Sequence, residues 1–266
     1  MSDTISAIIL GIVEGVTEYL PVSSTGHLIL ASKLLGYDDA RWNVFNIAIQ
    51  PGAILAIVVL YWRTFLTVGT GLLQRRPEAV AFTRNVLVAF LPAVVVGLAV
   101  KDHIDALLQN AVVVAWALIV GGVAILIIER LAKPREVHGV ANVTTGEAIK
   151  VGLMQCLAII PGVSRSGATI MGAMTLGIDR RTAAEFSFFL ALPTLVGATV
   201  LQMFKHRHEI QAHDLSLIAI GFVVSFVVAM AVIKGFLAIV TRHGFAPFAW
   251  YRILAGSAAL VWLYSI

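Results

Sequence analysis

The sequence predicts an all-α polytopic membrane protein, built as an inverted-topology repeat with two re-entrant helical hairpins and about six transmembrane helices. Three observations predict it. Of the 266 residues, 59% are hydrophobic and only 13% charged, with a mean hydropathy of +0.92, whereas a soluble domain is about 25% charged. The chain also matches itself at one fixed offset. Each copy of that match carries a polar, proline-containing interruption of an apolar run.

The offset is 164 − 23 = 141 residues, without a gap. It lays Gly11 on Gly152, Glu14 on Gln155, Val22-Ser23 on Val163-Ser164 and Thr25-Gly26 on Ser166-Gly167. Further on it lays Leu35-Gly36 on Leu176-Gly177, Asp38 on Asp179 and Phe45 on Phe186. A constant offset through matched turn residues reads as an internal repeat. The single membrane domain, 1–266, then divides into a first repeat over about 1–128, a charged linker over 129–147 and a second repeat over about 148–266.

Taken in order, residues 5–20 are too short and interrupted for a span, since a bilayer core takes about 20 mostly apolar residues. Pro21 hinders continuation of that helix. Ser23, Ser24 and Thr25 read as caps for a new helix over 26–35, which closes the first hairpin. Residues 44–62 are a span ending at the interfacial pair Tyr61-Trp62. Residues 63–84 read as a polar loop with Arg63, Arg75, Arg76 and Arg84. Residues 85–100 and 110–128 are spans joined by Lys101-Asp102-His103-Ile104-Asp105. The second hairpin covers 148–177 and breaks at Pro161-Gly162-Val163-Ser164-Arg165-Ser166-Gly167-Ala168-Thr169. Residues 184–204, 215–234 and 247–265 are the remaining spans.

A re-entrant hairpin returns to its own side, and three spans separate the two hairpins. Three is odd, so the second hairpin enters from the opposite face, and the broken helices meet near the midplane, an architecture common among transporters. Loops 63–84, 129–147, 178–184 and 235–246 carry Arg63, Arg75, Arg76, Arg84, Arg130, Lys133, Arg135, Arg180, Arg181 and Arg242; the other face has Arg41, Lys101, Lys205 and Arg207. The first face is therefore expected in the cytoplasm, with both termini and the mouth of the first hairpin outside. The pI near 9.4 follows from such basic loops. The basic residues are scattered, without an aromatic-rich polar surface between them, which argues against nucleic acid as a partner. Cys156 is the single cysteine, so there is no intramolecular disulfide. The start, Met1-Ser2-Asp3-Thr4, lacks a positive n-region, and no cleavable signal peptide is expected.

The chemistry-bearing residues sit at the two breaks. Glu14 and Glu18 are four apart and share a helix face. Charge inside a membrane is a functional hypothesis by default, and two neighbouring carboxylates suit a hard divalent cation, Mg²⁺ or Ca²⁺, completed by phosphate oxygens. Ser23, Ser24 and Thr25 are helix caps, and the amides of a helix start beside hydroxyls make an anion site. His27 follows Ser24 by three, so the two can lie on one side of a first helical turn, and a hydroxyl within reach of a base is an activated nucleophile. Arg165 has no acidic residue within ten positions. Its counter-charge must come from the first hairpin's glutamates or from a phosphate, which the planar guanidinium fork suits. A purely structural Arg–Glu bridge between hairpins would use the same residues. His206, His208 and His213 read as solvated loop residues. Asp179, Arg180, Arg181 and Glu185 read as a loop and helix start, and Arg252, after Trp250-Tyr251, as an arginine snorkelling to the interface.

The runs Glu14-x-x-x-Glu18, Pro21-Val22-Ser23-Ser24-Thr25-Gly26-His27 and Pro161 to Thr169 resemble the signature motifs of the undecaprenyl-diphosphate phosphatases of the bacitracin-resistance type. The similarity covers nearly the whole chain, including the Phe245-Ala246-Pro247-Phe248 approach to the last span, with no departure at the motifs' polar positions. The resemblance implies an integral enzyme of the bacterial inner membrane. It would remove the terminal phosphate of the C55 isoprenyl diphosphate on the outer side, with divalent-metal dependence, recycling of the cell-wall lipid carrier and bacitracin resistance. Among membrane lipids that diphosphate is the expected partner; the residues leave self-association into a homo-oligomer open.

Joined with the residue chemistry, the expected roles are these. Glu14 and Glu18 hold the cation, Ser24 attacks phosphorus, and His27 or Glu18 manages the protons. Arg165, Ser164, Ser166, Ser23, Thr25, Thr169 and the helix-start amides hold charge on the phosphoryl group. Direct attack by water uses the same residues. A lipid flippase or transporter would share the midplane anion site but has no need of a nucleophile and base.

Overall fold

A computed structural model describes residues 2–37, 40–100, 110–133, 139–206 and 214–265. Asp38, the 101–105 linker, Arg135, Arg207, His208 and His213, all named above, lie outside the described residues. Among the described residues there are eleven α-helices, two short 3₁₀ turns and no strand. Five of the helices are long and apolar enough to cross a membrane.

The first hairpin is α1 (Asp3–Thr17) and α2 (Ser24–Leu35). Thr17 turns its hydroxyl back onto the Val13 carbonyl at 2.6 Å, and the chain leaves the helix before Pro21. Ser23 caps α2, its Oγ accepting from the Gly26 N–H at 3.2 Å. Next come α3 (Ala40–Leu60), α4 (Trp62–Leu73), α5 (Pro77–Ala99) and α6 (Ala111–Leu131). Thr144 and Glu147 form a reciprocal capping box that starts α7 (Thr145–Gln155). A 3₁₀ turn and a bend lead to α8 (Arg165–Thr175), capped by Ser164, whose Oγ accepts from the Gly167 N–H at 3.0 Å. Asp179 caps α9 (Arg180–Lys205), and α10 (Asp214–His243) and α11 (Ala246–Ser265) complete the chain.

Ser23 and Ser164, paired at the 141-residue offset, carry positive φ angles of 72° and 79°. Both occupy a backbone region that costs a non-glycine residue roughly 1–3 kcal/mol. Both then cap the next helix through the N–H three residues on.

The two halves exchange helices. α1, from the first half, packs against α10 of the second; α7, from the second, packs against α5 of the first; α6 lies along α11. Small residues permit these approaches, as they do between membrane helices generally. A Cβ on Gly15 would stand 2.7 Å from the Ser225 carbonyl, and one on Gly152 2.8 Å from the Ala89 Cα. An aromatic cluster ties the turn after α1 to α9, α10 and α11, with Phe188 edge-on to Tyr19 at 5.4 Å and Phe236 edge-on to Phe248 at 5.3 Å.

Three expectations need correction. Residues 63–84 are not a loop: α4 begins at Trp62 and α5 at Pro77, with a short turn around Arg75 and Arg76 between them. Phe65, Leu66, Val68 and Leu72 recur at helical spacing in α4, and the arginines only mark its ends. Helices α6 and α10 also run beyond the expected spans, so residues 129–131 and 235–243 are helical. His206, expected in solvent, is partly buried at the end of α9. The last helix, α11, has a span's length, 20 residues, but its apolar run is diluted by Trp250, Tyr251 and Arg252.

The close approach of α7 to α5 yields a prediction. Gly152→Leu must push α5 away and should destabilise the protein by about 1–3 kcal/mol. Gly146→Ala, on the same helix with open space around it, should leave the melting temperature in detergent unchanged.

Candidate functional site

The turn that ends α1 and the turn that starts α8 meet over a cavity of about 240 Å³. Glu18, Ser23, Ser24 and Thr25 line it from the first turn, Pro161, Gly162, Ser164 and Arg165 from the second, and Gln50 and Leu195 from the helices α3 and α9. The fold therefore brings two turns about 140 positions apart in sequence onto one wall.

Glu18 is the centre of the contacts. The Ser24 hydroxyl donates a hydrogen bond to Glu18 Oε2, and Arg165 Nη2 donates to Glu18 Oε1 at 2.9 Å as an ion pair. Both side chains of that pair are almost buried, with 10% and 4% of their surface exposed. The other arm of the fork, Arg165 Nη1, reaches the Ser187 carbonyl at 2.9 Å and the Ser187 hydroxyl at 3.2 Å. The guanidinium also lies 5.8 Å from the Tyr19 ring centroid, and Tyr19 is itself fixed by donating to the Ala53 carbonyl at 3.0 Å. Arg165 Nε, buried, is left without a partner.

The remaining expected residues divide. Ser164 and Ser166 share a hydrogen bond at 3.0 Å, and Ser166 donates to the Leu20 carbonyl at 2.7 Å, so it ties the two turns together. Thr169 donates within its own helix and shares a hydrogen bond with Ser187 at 2.7 Å, which props the arginine's partner. Neither Ser166 nor Thr169 is among the cavity's lining residues.

His27 stands apart from Ser24. Its Nδ1 meets the Ser23 carbonyl at 2.8 Å, and because a carbonyl only accepts, that nitrogen carries a proton. Its Nε2 meets the Tyr251 hydroxyl at 2.8 Å, and the two rings stack at 5.5 Å. The i, i+3 spacing that would pair His27 with Ser24 is not used. Ser24 is the first residue of α2 and turns toward Glu18, so the base beside Ser24 is Glu18.

Glu14 is fully buried, and neither of its carboxylate oxygens has a hydrogen-bond partner. A buried charged carboxylate needs a compensating cation or proton, so Glu14 is the residue with free ligand capacity; Glu18 already serves two donors. Among the described residues no group of three or more His, Cys, Asp or Glu side chains gathers as a complete metal site. A hard cation would have to complete its shell with ligands brought by a bound molecule, as Mg²⁺ commonly does with phosphate.

Arg252, expected to snorkel to an interface, is instead 1% exposed and hydrogen-bonded to main-chain carbonyls of both turns. An arginine two residues after a tryptophan looks interfacial in sequence, and acceptors that belong to the backbone leave no mark on side-chain patterns. Ser187, Gln50 and Tyr251 were also not singled out. Gln50 had one available signal, as a polar residue next to Pro51 in a largely apolar span.

A larger cavity, about 390 Å³, opens between α4, α5 and α9 among Tyr61, Thr67, Arg76, Glu78, Phe82 and Phe189. It lacks a hydroxyl bonded to a carboxylate that is in turn bonded to a guanidinium, so the smaller cavity is the better equipped for chemistry.

Comparison with known proteins finds relatives over nearly the whole chain. Residues 7–258 match the family described as bacitracin resistance protein BacA. The undecaprenyl-diphosphatase of Novosphingobium aromaticivorans is 58% identical over 267 residues, covering 99% of each chain. That of Rhizorhabdus wittichii is 59% identical over 97% of each, and that of Sphingopyxis alaskensis 56% identical over 99% of each.

The buried Glu18–Arg165 pair gives a test by stability alone. Glu18→Gln leaves the guanidinium without its counter-charge and should cost roughly 3–5 kcal/mol. Pairing it with Arg165→Met should recover most of that loss, measured as thermal unfolding of the single and double variants in one detergent.

Proposed function

The chain belongs to the bacitracin resistance protein BacA family, and on that premise we propose that it is an undecaprenyl-diphosphatase, an integral-membrane hydrolase that splits undecaprenyl diphosphate into undecaprenyl phosphate and inorganic phosphate. That activity recycles the lipid carrier of cell-wall synthesis and underlies bacitracin resistance. The observation that carries the reading is the run of contacts from Ser24 to Glu18 to Arg165 on one cavity wall. Transport of a lipid has no use for a hydroxyl bonded to a base.

The prenyl tail lies between the long helices, and the diphosphate enters the cavity where the two turns meet. Ser24 Oγ attacks the terminal phosphorus, and its proton passes to Glu18 along their hydrogen bond. The bond from phosphorus to the bridging oxygen breaks, and prenyl monophosphate leaves. Water then attacks the phosphoserine, Glu18 assists the proton transfer, and Ser24 is regenerated with release of phosphate. Arg165 holds the equatorial oxygens, where a loose phosphoryl-transfer transition state carries its charge; its unpartnered Nε–H is the donor free to take one. Ser23, Thr25 and Ser164 offer further hydroxyls on the cavity wall. Glu14, with Glu18 beside it in the same turn, would hold Mg²⁺ or Ca²⁺, and that cation when bound would neutralise charge on the diphosphate oxygens. His27 orients through Ser23 and Tyr251 rather than acting on Ser24 directly.

In this proposal the two broken hairpins are re-entrant and open to opposite faces of the bacterial inner membrane. The Ser24 cavity opens to the outer side. Purified protein in detergent should release phosphate from a prenyl diphosphate, and chelator should stop it. Ser24→Ala should lose about 10³-fold or more in kcat and Ser23→Ala roughly 10–100-fold. Retention of more than about a tenth of the rate by Ser24→Ala would transfer the attack to water. For topology, single cysteines at Ser2 and Ala141 in a Cys156→Ser background should react differently with an impermeant thiol reagent in intact cells. Ser2→Cys should label and Ala141→Cys should not; equal labelling would rule out the inverted arrangement.

A further inference from the structure

The reaction just described gives Arg252 no part, yet every N–H of its guanidinium is engaged. Arginine has five N–H donors, and here each has its own main-chain carbonyl. Nε donates to Leu118 at 3.2 Å, Nη1 to Pro21 and Val163 at 2.9 Å each, and Nη2 to Ala117 at 3.0 Å and Gly162 at 2.9 Å. None of the five acceptors is a carboxylate. Two belong to consecutive residues of α6, one to the first turn and two to the second.

A trans peptide fixes its N–H opposite its C=O, and no peptide bond among the described residues is cis. Holding the carbonyls of Pro21 and Val163 therefore holds the peptide planes that lead into Val22 and Ser164. The serines reached from those planes, Ser23 and Ser164, have the positive φ angles that only a constrained environment maintains. One residue beyond each stand Ser24 and Arg165. Gly121 of α6 leaves room for the guanidinium: a Cβ there would fall onto it.

We propose that Arg252 is a positioning residue for the reaction: by fixing carbonyls of both turns to one rigid guanidinium, it sets the spacing of Ser24 and Arg165 around the transferred phosphoryl group. This rests on the phosphatase reading above. Lysine keeps the charge but has three donors and no planar fork, so it cannot serve five carbonyls at fixed angles.

The test uses purified full-length protein, with kcat and KM for a prenyl diphosphate and amide hydrogen exchange measured on the same samples. Arg252→Lys should lose about 10²-fold in kcat with KM within about threefold, the scale of a misplacement near 1 Å. Exchange over residues 18–24 and 160–166 should rise in both turns together, although they lie far apart in sequence. Gly121→Ala, which displaces the guanidinium without touching either turn, should show the same pattern at roughly a tenth of the kcat effect. Folded Arg252→Lys with kcat close to wild type, or faster exchange in one turn alone, overturns the proposal. Failure of both variants to fold makes Arg252 a structural tie and overturns it equally. A wild-type protein that releases no phosphate overturns the phosphatase reading instead, and the exchange pattern still decides whether Arg252 holds the two turns.

Discussion

Breaking a helix inside a packed apolar bundle leaves backbone carbonyls and amides that no solvent will satisfy. This chain does so twice, after Thr17 and again between Gln155 and Arg165, and most of its polar architecture answers that need. Ser23 and Ser164 satisfy the first free amides of α2 and α8. Ser166 satisfies the Leu20 carbonyl across the gap between the turns. Arg252 satisfies three further carbonyls at once. The site is what remains when these demands are met: a small space whose walls are helix starts, with a hydroxyl, a carboxylate and a guanidinium left to do other work.

Glu18 shows how tightly the structural and chemical roles are joined. One oxygen accepts from Ser24 and the other from Arg165, the arginine that would hold the phosphoryl group. A phosphate arriving at Arg165 competes with Glu18 for the same guanidinium. Whatever part of that ion pair it weakens leaves Glu18 with more negative character toward Ser24. In the proposed reaction, binding of the anion and activation of the hydroxyl would be linked through one carboxylate.

Much of this was legible in the sequence because polar residues in an apolar run stand out. Glu18 and Arg165 stand out by cost, since each is expensive in hydrocarbon and so must have a purpose, and Ser24 stands out by its place in the cap run three residues before His27. Pro21 and the serines after it placed the first break, and the constant offset placed the second. What could not be read were partners supplied by the backbone or from far along the chain. Arg252 binds carbonyls, which every residue has, so nothing in the sequence distinguishes its site from an interfacial one. His27 takes its second hydrogen bond from Tyr251, 224 residues away, while its spacing from Ser24 suggested a nearer companion. In the 63–84 segment the arginines suggest a loop, but the helical spacing of Phe65, Leu66, Val68 and Leu72 decides the structure.

The exchange of helices between halves has a consequence for how the molecule is made. α1 leaves the ribosome well before the helix its glycines fit, α10, which comes about 210 residues later, as the separation of Gly11 and Gly221 shows. At about 5–20 residues per second, α1 waits roughly 10–40 s with Glu14 and its small-residue face uncovered. The newborn chain therefore passes through a stage in which a carboxylate-bearing, half-formed hairpin must be sheltered by lipid headgroups or by the insertion machinery. Mutations in the last third of the chain can thus surface as quality-control failures of its first helix.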